Sequence, residues 1–157
     1  VETKYWAQVD QFNAMYRLPR PERPEPFSDQ RLLFFKDILL EEVAEVDEIF
    51  SLTDPRARLV ALADWLGDLI VYCSTEGRRH GLPMAEILAI IMDSNFSKLG
   101  PDGQPMYDAR GKVVKGPHYW GPEPKIDRLL EDQPALGDQA VPPDHEIFRD
   151  NIEDILA

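Results

Sequence analysis

The stretch Leu39-Leu40-Glu41-Glu42-Val43-Ala44-Glu45 places three carboxylates within five residues of an otherwise apolar run. At about 100° per residue, Leu32, Phe35, Leu39, Val43, Val46 and Phe50 fall on one narrow helical stripe. Ile38, Glu42, Glu45 and Ile49 form a second row beside it, so two of the acids are bounded by isoleucines. Glu41 and Glu48 lie further round, toward the outer face. The period is helical, and it predicts one long helix from the Ser28-Asp29 cap to about Leu52. Carboxylates on a semi-apolar face need a cation or hydrogen-bond donors. Two readings of this stretch alone stay open: a metal-binding face, or the charged shoulder of an amphipathic helix.

Working outward, the same period recurs on both sides. Tyr5, Trp6, Val9, Phe12 and Tyr16 predict a short helix over 4–16. Pro19, Pro21, Pro24 and Pro26 make the following segment an extended connector. Thr53-Asp54-Pro55 reads as a helix restart, with a capping acid and proline in the first turn. The helix that follows, about Arg56 to Arg79, carries a main apolar stripe of Leu59, Leu62, Leu66, Leu69 and Cys73. Its other side holds Ala57, Ala61, Asp64, Asp68, Val71, Tyr72 and Thr75, so it reads as a central helix. Asp64 and Asp68 are i,i+4 neighbours on one face, a second acid pair able to oppose the first across a helix bundle.

Gly81-Leu82-Pro83 separates that helix from another, Met84 to about Leu99, whose line Ile87, Ile91, Asn95, Lys98 runs from apolar to polar. Gly100-Pro101-Asp102-Gly103 stops it. Asp108-Ala109-Arg110-Gly111 predicts a small hairpin turn. Lys112, Lys115, His118, Tyr119 and Trp120 then gather cations and aromatics on a loop, a pattern suited to phosphate and base contacts or to pinning the loop on the bundle. Ile126 to Leu130 reads as a short helix, and 144–156 as a terminal amphipathic one.

The chain has 157 residues and a formal charge of −12, with 43% hydrophobic residues. That length fits one folding unit, which we divide into a helical domain over 1–125 and an extension over 126–157. The charge excludes a basic nucleic-acid surface, yet allows phosphorylated small molecules if metal ions bridge acids to phosphates. No apolar run predicts a membrane span. The single Cys73 precludes an internal disulfide and suggests a reducing, cytoplasmic setting; its place on the leucine face makes it an expected core residue. His80 and His145 read as surface residues.

Three elements together resemble the all-α nucleoside triphosphate pyrophosphohydrolases of the MazG-like type, relatives of dimeric dUTPases and phosphoribosyl-ATP pyrophosphohydrolases. They are Glu41-Glu42-x-x-Glu45, the helix bearing Gly67-Asp68-Leu69-Ile70-Val71-Tyr72, and Asp93-Ser94-Asn95-Phe96-Ser97-Lys98-Leu99. The last continues through Gly100-Pro101-Asp102-Gly103 and, further on, Gly111-Lys112-Val113-Val114-Lys115-Gly116-Pro117. The resemblance spans roughly residues 5–125. It implies a four-helix bundle that works as a homodimer or homotetramer, hydrolysing a nucleoside triphosphate to monophosphate and pyrophosphate with Mg²⁺ or Mn²⁺. By the same resemblance Glu42, Glu45 and Asp68 would hold metal. Glu41 would bind a second metal or activate water. Asn95 and Lys98 would face the nucleotide, and Lys112, Lys115 and Tyr119 would reach the substrate of their own or a neighbouring subunit. The family's ExxD motif is altered: three residues before Asp68 stands Trp65, and three before Asp64 stands Ala61, leaving Asp64 as the substitute ligand.

The all-oxygen ligand set, without a Cys/His cluster, independently suits a hard cation. Trp65, Tyr72, Phe96 and Tyr119 are candidate base stackers; dUTP, dCTP, dGTP/GTP and modified nucleotides all fit the resemblance. Two other functions stay in view: hydrolysis of phosphoribosyl-ATP, and a non-catalytic helical dimer that binds metal and nucleotide or serves only as an interaction module.

Overall fold

The computed structural model describes residues 2–132; the predicted terminal helix at 144–156 and His145 lie outside them. The described chain is helical: α1 (Glu2–Met15), α2 (Asp29–Ala44), α3 (Val46–Ser51), α4 (Pro55–Arg79), α5 (Met84–Phe96) and α6 (Glu123–Glu131). No helix among the described residues is long and apolar enough to cross a membrane.

The boundaries follow local chemistry. Ser28 caps α2, its Oγ accepting the Arg31 N–H at 3.2 Å. Asp54 caps α4 by accepting the Ala57 N–H at 2.7 Å, with Pro55 in the first turn. The C-terminus of α4 closes on Gly81 at φ +68°: Leu82 N–H reaches the Gly77 carbonyl and Gly81 N–H the Arg78 carbonyl. This is the Schellman pattern that favours glycine. The connector 18–26 wraps this end, tied by Glu25 N–H to the His80 carbonyl and by Arg78 to Asp10 and the Pro21 carbonyl.

Helix α4 is central, packing on α1, α2, α3 and α5, while α6 rests on α5. Two expectations are corrected here. The helix predicted over 29–52 is broken at Glu45 into α2 and α3. At the break the Glu45 N–H turns back to the Glu42 carbonyl, which also accepts the Trp65 indole N–H at 2.7 Å. A side-chain donor entering the backbone ladder interrupts it.

The second correction concerns which faces are covered. Leu59, Leu62, Leu66 and Cys73, expected in the core, are exposed in the single chain, as are Leu32, Val43 and Phe50 of the main stripe of α2 and α3. The opposite side is not covered in its place: Asp64, Asp68, Val71 and Tyr72 are exposed too, and α4 is buried only locally, at Ser74 and Gly77, with Trp65 half-buried. The helices are apolar on more than one side, and one thin chain covers only one side of each. Among the described residues, Val9, Ile49 and Ile87 are the large apolar side chains that are buried.

Candidate functional site

The break at Glu45 sits over the middle of α4, which brings the two acid pairs into one electrostatic neighbourhood. The Glu45 carboxyl is held above its usual range, chiefly by the Glu42 charge, then by desolvation and by Glu48, Asp68 and Asp64. The charges acting on Glu45 thus come from acids of both α2 and α4. Tyr72, one turn beyond Asp68, is drawn in: its hydroxyl lies against the Glu42 carboxylate, which pushes its pKa up, with desolvation and the Asp68 and Glu45 charges adding to the effect. Glu41 is not among the groups acting on Glu45 or Tyr72, in keeping with its place on the outer face.

These carboxylates are neighbours without forming a closed cage. Among the described residues, no three Asp, Glu, His or Cys side chains converge tightly enough to hold a metal ion as they stand. Glu45, Asp64 and Asp68 are exposed, and Glu42 is half-buried. The donor chemistry nevertheless fits a hard divalent cation. The donors are all carboxylate oxygens, their mutual repulsion is uncompensated by any ion pair among the described residues, and exposed side chains can turn toward a shared charge.

Trp65, a candidate base stacker, has a different position. Its indole N–H is committed to the Glu42 carbonyl, so it braces the end of α2, which carries Glu42 and leads into Glu45.

A second locus forms at the end of α5. Lys98 Nζ donates to Asn95 Oδ1 at 2.6 Å, so the two residues expected at the nucleotide pair with each other. Ser94 and Ser97, which the sequence reading passed over, seat the loop beside them. The buried Ser94 hydroxyl donates to the Trp120 carbonyl at 2.8 Å, and Ser97 Oγ accepts the Trp120 N–H at 3.2 Å. Gly116 N–H donates to the Lys98 carbonyl at 3.0 Å, where a Cβ would collide with the Leu99 carbonyl. The loop's predicted hairpin is a single antiparallel bridge, Tyr107 to Val113. Asp108 accepts the Lys112 and Arg110 N–H groups across its turn, which holds its carboxyl below the usual range.

The latch brings Lys115 close to Lys98 along the backbone, and Lys115 Nζ stacks on the Tyr119 ring at 4.4 Å. Lys125 covers Trp120 at 3.7 Å, so Trp120 pins the loop. Lys112 is exposed and His118 is exposed. No ion pair or side-chain hydrogen bond joins this locus to the α2/α4 acids among the described residues.

His80 is not the surface residue expected. It is half-buried, its Nε2 is 2.9 Å from Glu76 Oε1, and its ring packs at a tilt against Phe27. Glu76 also takes a two-pronged contact from Arg31 of α2. Burial pushes Glu76 up, but hydrogen bonds from Arg31 and His80 outweigh it and leave the carboxyl below its usual range.

No protein-family model matches the sequence, and no curated protein matches it. Among solved structures, the chain is similar to one described as a "putative NTP pyrophosphohydrolase" from Exiguobacterium sp. 255-15. The identity is 26%, the match covers 69% of this chain and 67% of that one, and the TM-score is 0.49.

Proposed function

We propose that this chain is a metal-dependent nucleoside triphosphate pyrophosphohydrolase, releasing monophosphate and pyrophosphate. The observation that carries the reading is the mutual repulsion of Glu45 with Glu42, Asp68 and Asp64 across two helices. Uncompensated carboxylates facing one another are costly unless a cation joins them. The motif resemblance supplies the reaction, and the ligand chemistry supports Mg²⁺ or Mn²⁺.

In this reading Glu42, Glu45 and Asp68 hold the metal, with Asp64 as the further ligand. A divalent cation there would supply Lewis acidity and neutralise the triphosphate charge. Glu41, on the outer edge of the row, binds a second metal or takes a proton from water. Lys98 adds point charge to the phosphates, and Asn95 orients them by hydrogen bonding; their mutual bond opens to admit the nucleotide. Lys112, Lys115 and Tyr119 ride on the latched loop and extend the contact.

Because the acids and the Lys98 locus are unjoined within one chain, we place their meeting in a homodimer or homotetramer. The uncovered leucine and phenylalanine faces of α2 and α4 support a second copy as the covering partner. Glu45→Gln and Asp68→Asn should each remove turnover while leaving helical circular dichroism intact; near-normal rates in either would sink the metal assignment.

A further inference from the structure

Helix α5 is apolar on more than one side. Ile87 is buried toward the bundle, while Leu88, Met92, Phe96 and, just past the helix end, Leu99 are exposed. These four recur at i, i+4, i+8 and i+11, so they form one uncovered stripe. We propose that the stripe is the docking site for this chain's own segment 144–156, which lies outside the described residues. The inference goes beyond the reading above and stands whether or not the chain hydrolyses triphosphates.

The segment carries the matching pattern in its sequence. Phe148, Ile152 and Ile155 stand at i, i+4 and i+7, on one side of a helical projection, and Glu146, Asp150 and Glu153 fall on the opposite side. Apolar anchors at that spacing are what one amphipathic helix presents to an apolar groove. The segment has thirteen residues, as does α5, so at the helical rise the two would be matched in length at about 20 Å.

Position, charge and the character of the other faces select this occupant. Helix α6 rests on α5 and ends at Glu131, so the chain leaves the described structure beside α5. The eleven residues 133–143 span up to about 36 Å when extended, more than the length of α5. The segment holds five acids and one arginine. The loop that follows α5 holds Lys98, Arg110, Lys112 and Lys115 against Asp102 and Asp108, in a chain of charge −12. Asp108 is committed to its own turn. Lys98, Lys112 and Lys115 have no carboxylate partner among the described residues. An acidic segment therefore gains at this end of α5. The other uncovered apolar faces, on α2 and α4, share their helices with Glu41, Glu42, Asp64 and Asp68, which repel it.

The test uses the full chain and its methionine methyl groups as NMR probes. Met92 lies in the stripe, and Met15 is exposed on α1. A nitroxide is attached through Ala157→Cys in a Cys73→Ser background, with the methyl groups labelled with carbon-13. The Met92 signal should be lost to broadening while Met15 keeps its own, at every protein concentration. Ile152→Glu, which puts a charge among the anchors, should restore Met92. A mixture of nitroxide-bearing chains and separately labelled chains should show no broadening. Met92 and Met15 affected alike, or a loss at Met92 that survives Ile152→Glu, overturns the inference. So does broadening of Met92 in the mixture, which would give the stripe to a second copy.

Discussion

The Trp65 indole N–H donates to the Glu42 carbonyl at 2.7 Å, bridging α4 to the point where α2 ends. This bond ties the helix break to the acid row. Trp65→Phe keeps the ring and removes the bond. It should cost about 0.5–1.5 kcal/mol in a denaturant titration and weaken Mg²⁺-induced stabilisation, because Glu42 and Glu45 lose their fixed bearing. An unchanged metal response would reduce Trp65 to packing.

Glu45 gives a stability prediction with a definite sign. Its folded-state pKa is raised by Glu42 and its other acidic neighbours, so its charge destabilises the folded protein above the unfolded-state pKa. That penalty is relieved as pH falls through the folded value. Glu45→Gln should therefore raise the metal-free Tm at pH 7, and the gain should vanish below the ordinary glutamate value of about 4.3. Glu76 has the opposite sign: its carboxyl is depressed, so its contribution is present above the unfolded pKa and lost as pH falls. A Glu45→Gln variant less stable than wild type at pH 7 without metal would contradict the repulsive row.

The loop latch is testable at its closest approach. Gly116→Ala forces a Cβ onto the Leu99 carbonyl and should destabilise the protein by about 1–3 kcal/mol. Ser94→Ala leaves the Trp120 carbonyl without its buried donor, at a comparable cost of about 1–3 kcal/mol. Both should raise KM for triphosphate more than they lower kcat, since they shift Lys115 and Tyr119 rather than the acids. Wild-type thermal unfolding of both variants would remove the latch.

The exposed apolar faces predict association. Light scattering on the eluted peak should give a mass of two or four times 18.0 kDa. Leu66→Glu, placed on the uncovered side of α4, should lower that mass or the solubility. A stable monomer of normal stability would show that these faces need no cover.

Much of the helical layout was legible because caps and breakers are local. Ser28, Asp54-Pro55 and Gly81 mark helix ends through bonds within a few residues. Helical spacing places Glu42 beside Glu45 and Asp64 beside Asp68, each pair on its own stretch of helix. The break at Glu45 was not legible, because its cause, Trp65, lies 23 positions away. The exposure of the α4 leucines was not legible either. Periodicity shows how apolar a face is, not whether its cover comes from the same chain. The roles of Ser94 and Ser97 rest on Trp120, more than twenty positions away, and a serine at a helix end carries no local signal of it.

The measurement that bears most directly on the central claim is product analysis. Wild-type protein is incubated with each common ribo- and deoxyribonucleoside triphosphate, with Mg²⁺ or Mn²⁺ and again with chelator, and the products are separated. The account predicts monophosphate and pyrophosphate in equal amounts, only with metal, and absent for Asp68→Asn. Release of orthophosphate with diphosphate, or no turnover of any triphosphate despite metal binding, would contradict it.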